Sequence, residues 1–212
     1  MIYIKKFAFN PLQVNCFVLY DETKEAVIID PACFNANERE QLEQFVESEG
    51  LKPTKILLTH GHFDHIMGCE YVKAKFKIPV VVHKQDEPLI QNAVAHADMF
   101  GLPIEPIEQA DEYMDDNETV TFGDSKLKVL HLPGHSPGGV GIICEEQKFG
   151  MVGDVLFHGS IGRTDLPMGD HATLISSIKD KLIANYPDIK IFSGHGPETS
   201  TAFEADNNPF LQ

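Results

Sequence analysis

The chain has 212 residues, 42% hydrophobic and 23% charged, a balance that suits a globular domain with one sizeable core. Its 32 acidic residues against 17 basic give a formal net charge of −15, which argues against a nucleic-acid backbone or an anionic membrane surface as partner. Four cysteines, Cys16, Cys33, Cys69 and Cys144, lie far apart without a CxxC pair and read as buried thiols in a reducing compartment, not as a disulfide framework.

The opening Met1-Ile2-Tyr3-Ile4-Lys5-Lys6 has no basic start followed by an apolar run, and no later apolar stretch is long enough to span a bilayer. The expectation is a cytoplasmic protein with a single domain over residues 1–212. Residues 2–9 and 14–20 pattern as strands joined in a hairpin through Asn10-Pro11-Leu12-Gln13. Ala26-Val27-Ile28-Ile29 makes a third strand, stopped by Asp30-Pro31. Residues 36–49 carry helical spacing at Leu42, Phe45 and Val46, closed by Gly50 with Pro53 beyond.

Lys55-Ile56-Leu57-Leu58-Thr59 is a short buried strand running into a histidine cluster. A helix over 66–76, a strand over 79–82 and a helix over 86–100 follow, the last with Pro88 early and Gly101 beyond its end. From Pro103 to Asn117 the pattern gives way to an acidic connection, and no Lys or Arg occurs between Lys84 and Lys126. Strands are expected at 119–122, 126–132, 139–144 and 148–153. An amphipathic helix through Leu174, Ile178 and Leu182 then leads to a strand over 190–193. Strand-then-helix halves on either side of a central connection suggest two sheets face to face with helices outside.

The chemistry concentrates in Thr59-His60-Gly61-His62-Phe63-Asp64-His65, which offers four metal ligands within six residues; His135, Asp154 and His195 follow at the ends of apolar runs. Imidazole and carboxylate together form the ligand set of catalytic zinc, iron or manganese. One ion takes three or four protein ligands, so seven candidates suggest two ions sharing a bridging carboxylate. In an extended loop His60, His62 and Asp64 share parity and His65 has the other, so the cluster can face two neighbouring ions. Gly or Thr before His60, His135, Asp154 and His195 suits a tight turn aimed into a cleft.

His60-x-His62-x-Asp64-His65, together with His131-Leu132-Pro133-Gly134-His135-Ser136, Gly153-Asp154 and Gly194-His195-Gly196, resembles the metallo-β-lactamase superfamily along the whole chain. The resemblance implies an α+β fold, a four-layer αββα sandwich with the metals in a groove at the sheet edges. By that match His60, His62 and His135 hold one ion, Asp64, His65 and His195 the other, and Asp154 bridges them. Zinc is the first choice, with iron and manganese as alternatives.

Residues 154–165, with Asn208-Pro209-Phe210-Leu211 near the end, look most like short bacterial type II glyoxalases, the hydroxyacylglutathione hydrolases. This implies a small-molecule thioester as substrate and an activated water as nucleophile, with Asp64 orienting the attacking oxygen while remaining a ligand. Arg163, with His158 and His171 flanking its loop, is a candidate for substrate binding; the alternative for Arg163 is an ion pair with Asp165. His131 is expected to support the ligands by a hydrogen bond, and His83 and His96 to be structural. Neither a Walker loop nor a dinucleotide fingerprint is present. Two other functions compete. One is a sulfur dioxygenase using a single iron on His60, His135 and Asp154, the facial arrangement of oxygen-activating iron. The other is a non-catalytic metal-binding protein.

Overall fold

The computed structural model describes residues 1–107 and 109–212. Two six-stranded mixed sheets lie face to face. The first runs in the order β1 (Tyr3–Phe9), β2 (Val14–Tyr20), β3 (Glu25–Ile29), β4 (Lys52–Leu57), β5 (Val80–Val82) and β6 (Glu112–Tyr113). Its first three strands are antiparallel and the rest parallel, with α1 (Ala36–Ser48) crossing from β3 to β4. A capping box starts α1: Asn35 accepts from the Glu38 backbone while the Glu38 carboxylate accepts from that of Asn35.

The second sheet contains β7 (Thr119–Phe122), β8 (Ser125–His131), β9 (Val140–Cys144), β10 (Phe149–Gly153), β13 (Lys190–Ser193) and β14 (Thr199–Ser200). Its order is β14-β13-β10-β9-β8-β7, and β11 (Leu156–Phe157) and β12 (Ser160–Ile161) form a separate small hairpin.

The two-residue period of the strands sorts side chains into three apolar layers. Phe17, Leu19, Val27, Ile29, Leu57 and Val81 face Leu127, Val129, Val140, Ile142, Met151 and Phe192 between the sheets. Their neighbours Cys16, Val18, Ile28, Ile56, Val80 and Val82 turn outward against Leu42, Val46, Ile66 and Val72. On the far side Leu130, Leu132, Ile143 and Val152 pack against Leu174, Ile178 and Leu182. The αββα layering expected from the sequence is therefore present, and it accounts for every long apolar run.

Three local differences matter near the site. The helix expected over 66–76 is two pieces, α2 (Phe63–Ile66) and α3 (Cys69–Phe76), so Asp64 and His65 are already helical. The break falls at Gly68, whose N–H donates to Pro31 O at 2.7 Å, and where a Cβ would come within 2.3 Å of Cys33 Sγ. The helix expected over 86–100 is a short 3₁₀ turn followed by α4 (Glu87–Gln91) and α5 (Ala93–Met99), interrupted at Asn92. Helix α6 (His171–Ser176) runs on as π-helical turns over Ser177–Ile183, and α7 (Thr201–Asn207) follows β14. No described helix is long and apolar enough to cross a membrane.

The sheets are joined at one end. The N–H of Asn15 donates to Gly194 O at 2.7 Å, and its side-chain amide donates to Ser193 O at 2.9 Å and Gly196 O at 3.0 Å. This stitch sets the hairpin of the first sheet against the last central strand of the second.

Ile142 has no solvent exposure in the layer between the sheets. Ile142→Ala is expected to lower unfolding free energy by about 2–5 kcal/mol, read from urea midpoints at unchanged slope. A cost below about 1 kcal/mol would mean that this layer does not hold the sheets together.

Candidate metal centre

The strands that point toward the joined end each deliver a polar group just past their last residue. Asp30 follows β3, Thr59 and His60 lie beyond β4, Asp154 follows β10, and His195 lies beyond β13. Backbone space is tight there. Gly153 has a φ of +51°, and a Cβ on it would meet Thr59 Oγ1 at 2.3 Å; a Cβ on Gly194 would stand 2.2 Å from Asp154 Oδ1. Only glycine lets these two turns carry Asp154 and His195 so close to the rest.

All seven residues singled out by the motifs converge. His60, His62 and His135 each present a nitrogen within 4.8 Å of the others, as do the ligand atoms of Asp64, His65 and His195. His62 Nδ1 lies 2.9 Å from His135 Nε2. Asp154 stands between the two groups: its Oδ1 is 3.4 Å from His65 Nε2, and its Oδ2 is 3.7 Å from His135 Nε2 and 3.5 Å from His195 Nε2. Asp64 Oδ2 lies 3.4 Å from His195 Nε2.

Hydrogen bonds behind the cluster set the tautomers. His135 Nδ1–H donates to Arg163 O at 2.8 Å, and His195 Nδ1–H to Leu12 O at 3.0 Å. His65 Nδ1–H donates to Asp30 Oδ2 at 2.9 Å. The Thr59 hydroxyl donates to the same carboxylate at 2.6 Å and accepts from His60 Nδ1–H at 3.1 Å. Four imidazoles therefore turn Nε2 inward. Three buried atoms of the cluster, His60 Nε2, His65 Nε2 and Asp154 Oδ1, have no hydrogen-bond partner. Inward lone pairs and orphaned buried acceptors suit bound cations, and the mixed nitrogen and oxygen set suits first-row divalent metals.

The electrostatics agree. Burial, with the neighbouring imidazoles, pushes His60 well below its usual range, and burial pushes His62 down to about 3. Both are neutral donors at pH 7. Burial opposes ionisation of Asp64 and Asp154, yet the facing histidines, His65 first, hold both below the usual carboxylate range. Burial also opposes charge on His65, but Asp154, Asp64 and Asp30 together raise it well above its ordinary value. The field at this point favours positive charge.

Residues outside the motifs hold the ligands. Asp30, 1% exposed, carries both His65 and Thr59; its place just past a buried strand, shared with several ligands, is the one sequence signal of this role. Asp86, fully buried, accepts from Gly61 N at 2.8 Å, Ser136 Oγ at 2.8 Å and Gly138 N at 2.5 Å, tying the His60–His62 turn to the segment bearing His135. Asn10 Nδ2 donates to Asp64 O at 2.9 Å. Nothing in the spacing of Asp86 or Asn10 announces these roles. Gly134-His135-Ser136-Pro137-Gly138 does fit the Gly-x-Ser-x-Gly spacing of a serine nucleophile, but Ser136 is fully buried with its hydroxyl donated to Asp86. It is a strut.

The remaining candidates divide. A cavity of about 410 Å³ opens over the cluster and is lined in part by His62, Asp64, His135, Asp154, His195 and Arg163. Arg163 meets the cavity with its guanidinium paired to Asp165 through two hydrogen bonds of 2.8 and 2.7 Å. His158 and His171 do not line it: His158 stacks on Phe203 with ring centroids 4.9 Å apart, and His171 is the exposed first residue of α6. His96, expected to be structural, is on the cavity wall because α5 turns that face toward the site. His131 donates to Pro137 O at 2.8 Å and stacks on His83, supporting the His135 segment and touching no ligand side chain. Cys69 is buried, as expected of a thiol that packs as an apolar residue.

Known proteins share this fold. Residues 9–195 match the family model of the metallo-beta-lactamase superfamily. The chain is 40% identical to the hydroxyacylglutathione hydrolase GloC of Haemophilus influenzae over 94% of its own length and 93% of that protein's. Among solved structures it is similar to BLEG-1 B3 metallo-beta-lactamase, with a TM-score of 0.90, 39% identity, and 99% and 100% of the two chains covered. It is also similar to TTHA1623 in a di-iron-bound form, with a TM-score of 0.87, 37% identity, and 98% and 100% covered. With the fold, the ligand order and the family model in agreement, the chain belongs to the metallo-β-lactamase superfamily.

Proposed function

We propose that this protein is a dinuclear metallo-hydrolase that cleaves a thioester of the hydroxyacyl-thiol type. The observation that carries the proposal is the position of Asp154, with one carboxylate oxygen toward His65 and the other toward His135 and His195. In this assignment His60, His62 and His135 hold one divalent cation, Asp64, His65 and His195 the other, and Asp154 both. Zinc is the first candidate and iron or manganese the alternatives; the di-iron form of a 37% identical neighbour supports the pairing of two ions. Such cations supply Lewis acidity, polarising a carbonyl and bringing the ionisation of water from about 15.7 toward neutrality.

The protein side of the mechanism follows from the residues. Asp64 lines the cavity, and its ionised carboxylate orients the attacking water and accepts its hydrogen bond. Asp30, Thr59 and the carbonyls of Leu12 and Arg163 keep the imidazoles from rotating. A thioester suits this site because a thiol of pKa about 8.5 leaves as the thiolate with little help from a general acid. The name of the 40% identical relative supports the same reaction class. A cytoplasmic setting goes with the reading, since all four cysteines are free and buried.

Three experiments test this. Elemental analysis after expression in mixed-metal medium is expected to find close to two ions per chain; one ion with full activity would remove the dinuclear assignment. Asp154→Ala is expected to lose both ions and His195→Ala mainly one, so an Asp154→Ala protein that keeps two ions refutes the bridge. Asp30→Asn, which leaves every proposed ligand in place, is expected to weaken metal affinity about 10–100-fold in competition with a chelator. Unchanged affinity would show that Asp30 is not needed to orient His65 and His60.

The competing activity is a one-iron persulfide dioxygenase on His60, His135 and Asp154. The convergence of Asp64, His65 and His195 into a second set favours the hydrolase. Hydrolysis consumes no oxidant, so turnover of an S-hydroxyacyl thiol is expected to run equally without oxygen and to release one thiol per event. Oxygen uptake with glutathione persulfide, without thioester cleavage, would reverse the choice.

A further inference from the structure

We infer that the cavity selects its substrate by the hydrocarbon of the acyl group and does not read charge on the thiol carrier. This rests on the thioester reading above and adds the substrate class to it. Beyond the proposed metal ligands, the wall is almost wholly apolar: Leu12, Phe63, Leu89, Phe100, Leu166 and Pro167 line it. Helices α2 and α4 supply Phe63 and Leu89, and three loops supply the rest. Leu12 lies on the turn between β1 and β2, Phe100 just beyond α5, and Leu166 after the β11–β12 hairpin.

At the mouth, apolar side chains stand in solvent. Phe100 is 58% exposed, Met99 beside it 81% and Leu12 37%. Large exposed apolar groups gathered around a cavity mark a binding surface. Phe100 is positioned by Phe63, with ring centroids 5.2 Å apart, so the wall continues from the rim to the turn that carries Asp64.

Cations are almost missing from this surface. The lining includes no lysine, and its one arginine, Arg163, already spends Nε and one terminal nitrogen on Asp165. With a formal net charge of −15, the chain does not draw in anions either. Beyond the proposed ligands, a carrier bearing carboxylates or phosphates therefore meets only His96 and the second terminal nitrogen of Arg163 as donors.

Which arm of the thioester takes the wall follows from the leaving group. The thiol departs as an anion, and a thiolate held against apolar side chains loses its hydration without compensation. The carrier is better placed toward solvent. The acyl chain, neutral throughout, is left to pack against Phe63, Leu89, Phe100 and Leu166.

The test uses the metal-loaded protein and straight-chain S-acyl thioesters from acetyl to octanoyl, each made on N-acetylcysteamine, which is uncharged, and on glutathione, which is anionic. kcat/KM is expected to rise about fourfold per methylene until the cavity is full. Exchange of the carrier at constant acyl length is expected to change it less than about fivefold, the range of exposed charge interactions. Phe100→Ser, which removes a largely exposed side chain whose ring packs on Phe63, is expected to cut the gain to less than about twofold per methylene. Leu166→Ser provides a second, independent reduction.

A binding readout separates this inference from the hydrolase assignment. Thioether ketones, with a methylene between sulfur and carbonyl, cannot be hydrolysed, and their affinity is measured by calorimetry. Affinity that climbs with acyl length, with a negative heat-capacity change, supports the inference even if no thioester is cleaved; the hydrolase assignment then falls alone. Cleavage with a flat acyl-length profile, tenfold or greater preference for glutathione, or affinity that follows the thiol side instead overturns the inference while thioester hydrolysis stands.

Discussion

Everything else in this molecule depends on holding five imidazoles and two carboxylates face to face with their lone pairs pointing inward. Such groups repel one another, and burial adds a desolvation cost to each charge. Four of the imidazoles are gripped from behind. His60 and His65 hang on the Thr59–Asp30 pair, His135 on the Arg163 carbonyl and His195 on the Leu12 carbonyl. Every one of these bonds consumes the Nδ1 proton, leaving Nε2 as the atom that faces the centre. The rigid backing and the inward charge are two aspects of one arrangement.

The sandwich is what makes that arrangement affordable. Ligands come from positions 60 to 195, from loops on both sheets, and the layer between the sheets is continuous from Phe17 and Leu57 to Ile142 and Phe192. A loop at the end of a buried strand inherits the strand's stiffness while its own side chains remain free for chemistry. The stitch from Asn15 to residues 193–196 closes the two sheets at the end where precision is needed. At the rim above, the apolar residues Leu12, Met99 and Phe100 stand exposed.

Much of this was legible in the sequence, for physical reasons. Strands whose two faces are both buried show as unbroken apolar runs, and ligands placed just after such runs announce themselves by residue type. Spacing predicts one helix over Ile66–Phe76 because it cannot see Gly68 pressed against Pro31 and Cys33. Asp86 was hidden for a related cause. Its value lies in three donors that are 25 to 52 residues away in sequence, and no local pattern encodes them. The short pairs β11–β12 and β13–β14 likewise depend on partners brought together by the fold. Arg163 shows the opposite case: its i+2 partner Asp165 is visible in the sequence, and the pair forms in the fold.

Asp86 also explains how the centre keeps its shape. Its carboxylate fastens the turn of the first sheet that bears His60 and His62 to the segment of the second that bears His135, beside the backbone bond from Val140 N–H to Thr59 O at 2.9 Å. Burial raises its pKa, whereas the hydroxyl of Ser136 and the two backbone N–H groups of Gly138 and Gly61 stabilise its ionised form. A carboxylate held by three donors can neither rotate nor slide, so the distance between the two ligand-bearing segments is set by folding. The entropy of bringing His60, His62 and His135 together is thus spent before any cation arrives. Under the dinuclear proposal, binding energy is then left to the cation–ligand bonds themselves. A site built this way is preorganised by a residue that touches neither cation nor substrate.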